Sequence, residues 1–261
     1  MAARRETPAA LRSPILFRLF AYYLRLRVRR GFHAIRLSGQ LPVVPRGQPV
    51  IVFANHPSWW DPAVFIILGD TLFRGRPGYG PMESDALRRY GFFRRLGAFG
   101  IEKNTAAGAR RFLEIARAVL AEPGAMIWVT AEGNFTDPRV RPVRLRPGVA
   151  HLARSIPDAV LLPLAVEYVF WNESRPELLV RFGNPIAADA AIRPAEWTQR
   201  LQTVLAREMD ALAADSASRE KQRFQTLLSG TVGSSMIYDT TRRLAALLRG
   251  RHFSPAHEEE A

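Results

Sequence analysis

Val50-Ile51-Val52-Phe53-Ala54, followed at once by Asn55-His56-Pro57-Ser58-Trp59-Trp60-Asp61-Pro62, is the stretch on which the reading of this sequence turns. Its first five residues are a short, uninterrupted apolar run and predict a buried strand. Asn55 and His56 then emerge at the C-terminal edge of that strand, where open α/β sheets place their ligands. Pro57 removes a backbone donor and stiffens the turn. A helix is expected over Pro62–Leu68, with Asp61 as its cap and Pro62 at the first helical position. The turn can bring the Asp61 carboxylate back to one imidazole nitrogen of His56. A carboxylate there fixes the tautomer and stabilises the imidazolium, leaving the other nitrogen to take a proton. A structural histidine that caps the helix with Asp61 fits the same spacing.

Working outward, strands and helices alternate. Apolar residues at helical spacing over Leu11–Val28 (Leu11, Ile15, Leu16, Leu19, Phe20, Tyr23, Leu24 and Val28) predict an amphipathic helix, preceded by ten disordered residues. Further strands are expected at Phe32–Leu37, Phe99–Ile101, Ala125–Val129, Val160–Phe170 and Leu178–Phe182. Helices are expected at Ser84–Leu96, Thr105–Ala121, Gly148–Arg154 and Trp197–Ala214. Gly69–Gly80 and Thr130–Pro147 read as loops. Helical segments over Ser218–Leu228 and Tyr238–Leu248 and an acidic disordered tail from Ser254 complete the chain. The pattern predicts a single α/β domain, a mixed central β-sheet covered by helices, with an N-terminal amphipathic membrane-contacting helix. Its parts are a membrane-association segment at 1–30, the main domain at 31–215 and a C-terminal helical extension and tail at 216–261.

Composition narrows the chemistry. No cysteine occurs among the 261 residues, which excludes disulfides, thiolate metal sites and a cysteine nucleophile. The formal net charge is +13, and only Lys103 and Lys221 among the cations are not arginine. Residues 1–36 hold nine arginines and one glutamate. Such clustering points to an anionic partner, a phospholipid surface or a nucleic acid. Apolar and aromatic residues interleave with these arginines, as an interfacial helix requires. Zinc, helix-turn-helix and RNA-stacking signatures are absent, which argues against the nucleic acid. No run of eighteen uncharged apolar residues occurs, and Pro14–Leu24 has neither the length of a membrane span nor the cleavage site of a signal peptide.

Asn55-His56-Pro57-Ser58-Trp59-Trp60-Asp61 resembles the NHxSxxD form of the HX4D motif of the glycerolipid acyltransferases, the group that includes lysophosphatidate acyltransferase. The other blocks of that family follow in order. Gly97-Ala98-Phe99-Gly100-Ile101-Glu102-Lys103 resembles its second block, with Lys103 where the family has arginine. Thr130-Ala131-Glu132-Gly133-Asn134-Phe135-Thr136 resembles the third, F-P-E-G-T-R-S, but lacks its proline and has Phe135 in place of its arginine. Leu161-Leu162-Pro163-Leu164-Ala165-Val166 resembles the fourth. The likeness spans about Gly31–Pro185 and leaves the C-terminal third uncovered.

The resemblance implies an O-acyl transfer in which His56 is the general base and Asp61 orients it. The donor would be acyl-CoA or acyl carrier protein, a co-substrate, with no cofactor and no metal. The acceptor would be a lysophospholipid-like alcohol, at the cytoplasmic face of a membrane. Lys103, Glu132, Gly133, Asn134 and Arg139 would shape the acceptor side. Asn55, Ser58, Trp59, Trp60, Phe135 and Pro163 are candidates for lining the pocket, although tryptophans of this kind also serve as core. Arg139, Arg141, Arg144 and Arg146 lie downstream and could replace the missing arginine or meet membrane phosphates. Loss of that arginine also admits an acceptor without phosphate, such as a glycolipid, a carotenoid glycoside or an aminolipid. A basic nucleic-acid-binding protein is the rival from another class.

Overall fold

The computed structural model describes residues 7–230. Two helices open the chain, α1 (Pro8–Leu11) and α2 (Pro14–Gly31), followed by β1 (Ala34–Ser38), β2 (Val50–Ala54) and α3 (Asp61–Thr71). Next come β3 (Gly78–Glu83), α4 (Ser84–Arg89), a 3₁₀ turn over Gly91–Leu96, β4 (Ala98–Ile101), α5 (Ala106–Leu120) and β5 (Met126–Thr130). The remainder is α6 (Gly148–Ser155), β6 (Val160–Val169), β7 (Glu177–Phe182), β8 (Ile186–Ala187), α7 (Pro194–Ser218) and β9 (Phe224–Ser229).

Among the described residues one mixed sheet runs β4-β3-β5-β2-β6-β7-β1-β9, with β8 beside β6. From β4 to β6 all neighbours are parallel. The direction reverses at β7, and β9 returns antiparallel to β1. Helices cover both faces, so the central strands are apolar on both sides. Ile51 and Phe53 of β2 pack in one core with residues of α5, α6 and α7. Val50, Val52 and Ala54 pack in the other with α2 and α3. This is the expected α/β architecture, and the parallel half brings the C-terminal ends of β4, β3, β5, β2 and β6 to one rim.

Several sequence expectations need correction. Gly69–Gly80 is not all loop: α3 continues to Thr71 and β3 begins at Gly78. The strand is hidden by Gly78, Gly80 and Pro81, residues that ordinarily weaken strands. The close approach here requires small size at Gly97, just before β4, where a Cβ would come within 2.3 Å of the Gly78 carbonyl oxygen, and a Cβ on Gly80 would lie 3.3 Å from the Trp128 carbonyl oxygen. Ladder pairing of β3 with β5 covers only Gly78 and Tyr79, so the missing amide of Pro81 costs nothing there. The helix expected over Ser84–Leu96 breaks after Arg89 into the 3₁₀ turn. Pro8, Ala9 and Ala10, expected to be disordered, form with Leu11 a turn of helix capped by Thr7. Ser218–Leu228 is not one helix: Ser218 ends α7, Lys221–Arg223 is a 3₁₀ turn, and from Phe224 β9 pairs with β1 and extends the sheet. Tyr238–Leu248 and the acidic tail lie outside the described residues.

The stripe expected along α2 is also different. Phe17, Ala21, Leu24 and Val28 are the buried residues, spaced at i, i+4 and i+3. Ile15, Leu19 and Tyr22 stand 73, 61 and 61% exposed on another face. Arg25 reaches Asp70 of α3 at 2.5 Å and ties the helix to the domain. No described helix is long and apolar enough to cross a membrane.

The β7–β1 seam is held by a buried charge cluster. Arg36 donates through Nε to Glu177 Oε2 at 2.9 Å and through Nη1 to Thr226 Oγ1 at 2.9 Å, and His33 Nδ1 pairs with Glu177 Oε1. Burial pushes the Glu177 carboxyl up, but His33 and Arg36 outweigh it and hold it below its ordinary value of 4.5. A depressed carboxyl stabilises the fold above its unfolded value and loses that contribution as pH falls through the folded one. Glu177→Gln strands the buried guanidinium and is expected to cost about 3 kcal/mol at neutral pH. In urea melts at several pH values, the gap between wild type and variant should be full above pH 4.5 and shrink on acidification. A gap that does not change with pH contradicts the linkage.

Candidate active site

The site starts from the geometry of β2. All five of its side chains are buried, so the strand must end before anything polar can reach solvent. Asn55 ends it without being exposed. Its amide donates to the Val166 carbonyl at 2.9 Å, and its carbonyl accepts from the Val166 amide at 2.8 Å. It therefore stitches the end of β2 to β6 and is not a pocket-lining residue. His56 follows, and Pro57 disfavours a helical backbone at His56.

Asp61 is the first residue of α3 rather than its cap; Trp60 holds the cap position and makes no side-chain bond there. Released from capping, the carboxylate turns back. His56 Nδ1 donates to Asp61 Oδ2 at 2.6 Å, and the Ser58 amide donates to the same oxygen at 3.2 Å. Tyr168 of β6 donates its hydroxyl to Asp61 Oδ1 at 2.7 Å. The Asp61 side chain is 0% exposed and that of His56 13%. A buried carboxylate needs this many donors to remain charged. With Nδ1 committed to Asp61, Nε2 is the imidazole nitrogen available for chemistry.

The loop after β5 closes over the other side. Glu132, buried, accepts from the His56 amide at 2.6 Å, and the Thr136 amide donates to the His56 carbonyl at 3.0 Å. Burial raises the Glu132 carboxyl, an effect partly offset by the His56 amide. Phe135 lies over the imidazole with ring centroids 4.4 Å apart. Gly133 adopts φ +76°, and a Cβ there would come within 2.2 Å of Arg146 Nε. Arg146 lies flat on that glycine. Its amide donates to the Ala131 carbonyl at 2.8 Å and its Nη2 to Asn104 Oδ1 at 2.7 Å. Asn104 directly follows Lys103 in the chain.

The remaining candidates are divided. Lys103 is half exposed and 3.8 Å from Glu83. Asn134 is exposed. Ser58 accepts from the Trp60 amide through Oγ at 3.2 Å. Trp60 packs edge-on against Phe32, as core, whereas Trp59 is 76% exposed on the lip. Pro163 is buried in β6 on the face toward α7, where it crowds Gly183 together with Glu208, and does not line the site. Arg139 is bound to Asp137 and lies over a shallow groove against Ala165 and Met209, apart from the Gly133 cradle. Arg141 bonds to Asp210 of α7. Of the four downstream arginines, Arg146 is the one seated on the third block.

Tyr168 was not among the candidates. Strand parity is the signal that could have found it, since Leu162, Leu164 and Val166 share its face and the residue lies two beyond the fourth block. Burial first, and then the Asp61 charge, raise its hydroxyl well above the ordinary tyrosine range, which keeps it a donor.

The sequence profile of a family described as Acyltransferase matches residues 35–167, which include β2, the His56 turn, the Glu132 loop and most of β6. A search of curated proteins gives no significant match. Among solved structures, the chain is similar to the crystal structure of the 1-acyl-sn-glycerophosphate (LPA) acyltransferase, PlsC, from Thermotoga maritima. The TM-score is 0.55 and the identity 14%, over 82% of this chain and 84% of that chain. At that identity the likeness speaks for the shared fold.

Proposed function

The chain belongs to the acyltransferase family, and from that premise we propose that it moves a fatty acyl group from acyl-CoA or acyl carrier protein to a hydroxyl of a lysophospholipid-like acceptor. The observation that carries this reading is the His56–Asp61 pair, bonded at 2.6 Å at the rim of the sheet within the matched region. His56 Nε2 takes the proton of the acceptor hydroxyl as its oxygen attacks the thioester carbonyl. The C–O bond forms, the C–S bond breaks, and the proton passes to the leaving thiolate. No nucleophile of the protein is required, because the thioester is already activated. A base held in place in this way contributes about 10²–10⁴ in rate.

For the acceptor, the cradle of Arg146, Gly133 and Asn104 favours a phosphate-bearing headgroup, with Lys103, the neighbour of Asn104 in the chain, as the candidate second cation. A guanidinium presents a planar fork suited to phosphate oxygens. Phe135, freed from the role of the family's arginine, covers the imidazole and helps exclude water.

Membrane association is part of the same reading. The outer face of α2 carries Ile15, Leu19, Tyr22 and Tyr23 in the open, and Phe92 of the 3₁₀ turn continues the surface through Phe20, 5.4 Å away. Arg18 and Arg27 lie exposed on the same helix. Apolar side chains entering the headgroup layer, with arginines on lipid phosphates, would place the rim beside its lipid substrates at the cytoplasmic face.

Three outcomes are expected. His56→Ala should lower acyl transfer from palmitoyl-CoA to lysophosphatidate by at least about 10²-fold with an unchanged thermal melt; full activity removes His56 as base. Arg146→Ala should raise KM for lysophosphatidate about tenfold and leave KM for palmitoyl-CoA alone. Equal loss on a glycolipid acceptor would show that Arg146 does not read phosphate. The variant Ile15→Glu, Leu19→Glu and Tyr22→Glu alters only exposed positions and should cut cosedimentation with anionic vesicles at least about tenfold. Undiminished sedimentation refutes the α2 surface.

A further inference from the structure

We propose that Tyr168 is a positioning residue of the transfer reaction, its hydroxyl holding the Asp61 carboxylate in the one orientation that serves His56. The inference rests on His56 acting as base and extends that reading to a residue on a strand outside the motif.

The argument starts from the two oxygens of Asp61. Oδ2 accepts from His56 Nδ1 and from the Ser58 amide. Both donors lie on the same short turn, and neither touches Oδ1. The side chain is sealed from solvent, so Oδ1 depends on Tyr168, 107 residues away in sequence, for its partner. Without that bond the carboxylate would carry an unsatisfied buried oxygen and could swing about its Cβ–Cγ axis to seek another donor. Even a small rotation, with Oδ2 still bonded to Nδ1, would tilt the imidazole away from its aim.

Tyr168 is itself held in place. Its ring packs near Phe32, with centroids 5.9 Å apart, and Phe32 in turn meets Trp60 edge-on at 5.2 Å. The Asn55–Val166 clamp fixes β6 two residues before it. The hydroxyl thus reaches Asp61 from a strand paired on both sides within the sheet.

A second consequence is electrostatic. The hydroxyl draws negative charge toward Oδ1. Removing it concentrates charge on Oδ2, strengthens the attraction to the imidazolium, and lets His56 keep its proton to higher pH. The other ionisable groups facing the pair are Glu132, through the His56 amide, and Arg141, close enough to act on Glu132. Neither bonds to Asp61, and the phenylalanine substitution changes neither.

The test is Tyr168→Phe, which keeps the ring and removes only the donor. In the palmitoyl-CoA and lysophosphatidate assay, kcat is expected to fall about tenfold with KM for both substrates unchanged. The acid limb of kcat/KM should move up by about half to one pH unit. A purely packing role predicts no change in either, and that result overturns the proposal. In an Asp61→Asn background, Tyr168→Phe should add less than about a twofold loss, because the two act as one unit; multiplicative losses overturn it. A measurement that does not depend on the variant folding uses wild-type protein with all tyrosines replaced by 3-fluorotyrosine. The more acidic hydroxyl should move the acid limb down, opposite to phenylalanine, and no movement counts against the role. Should His56→Ala keep full activity, both this inference and the base fall. Should His56→Ala be inactive while Tyr168→Phe matches wild type, only Tyr168 loses its role.

Discussion

A carboxylate cut off from water governs the architecture of the rim. Asp61 is wholly buried, and a buried charge is tolerated only where the surrounding chain supplies donors in good geometry. Three are supplied here, two from the turn after β2 and one from β6. Meeting that demand fixes where α3 begins, how the turn after His56 runs, and how β6 sits beside β2. The same bonds that make the charge tolerable aim the imidazole. Asn55 and Glu132 restrain the backbone up to the His56 amide and the Thr136 amide holds its carbonyl, so on the proposed function little reorganisation remains for the moment of reaction.

The reversal in the sheet gives the rim its second wall. A wholly parallel sheet would send the chain after β6 away through a crossover helix. Instead β7 runs antiparallel to β6, pairing Tyr168 with Leu178 and Val169 with Glu177. The β6–β7 turn therefore sits at the same end as His56, and Phe170 of that turn stands exposed there. Because β1 is parallel to β7, Phe32 and His33 also arrive at this end. That is how the last residue of one helical face, Phe32 after α2, comes to support both Trp60 and Tyr168. The helix with the exposed apolar face and the catalytic candidates are thus joined through one aromatic chain.

Much of this was legible in the sequence, for physical reasons that differ by residue. Val50–Ala54 and the run around Met126 read as buried strands because both faces of the sheet are covered. His56 and Asp61 read as a pair because a proline-stiffened turn of that length returns on itself. Three strands did not read, the two-residue β8 among them. Gly78–Glu83 succeeds as a strand through close backbone approach, which local propensity scores as a fault. Phe224–Ser229 follows a basic 3₁₀ turn and is a strand only because β1 offers it an edge. Trp60, Asn55 and Pro163 carry the residue types of a site but serve packing and clamping. Tyr168 was missed because its partner lies far off in the chain, and local spacing carries no information about such a bond.

The loop after β5 shows how a departure from a family pattern can be absorbed. Phe135 stands where related sequences have arginine, which on its face removes a phosphate ligand. Gly133 cannot carry a side chain, both for its φ of +76° and for the guanidinium that lies on it. That vacant space is filled from 13 positions downstream by Arg146, whose charged end is fixed by Asn104 next to Lys103. A cation delivered from the far side of the loop leaves the near side to an aromatic ring on the imidazole. On the proposed function the exchange is therefore a relocation of charge rather than its loss: the rim keeps its anion grip and gains a cover that lowers water access to the base.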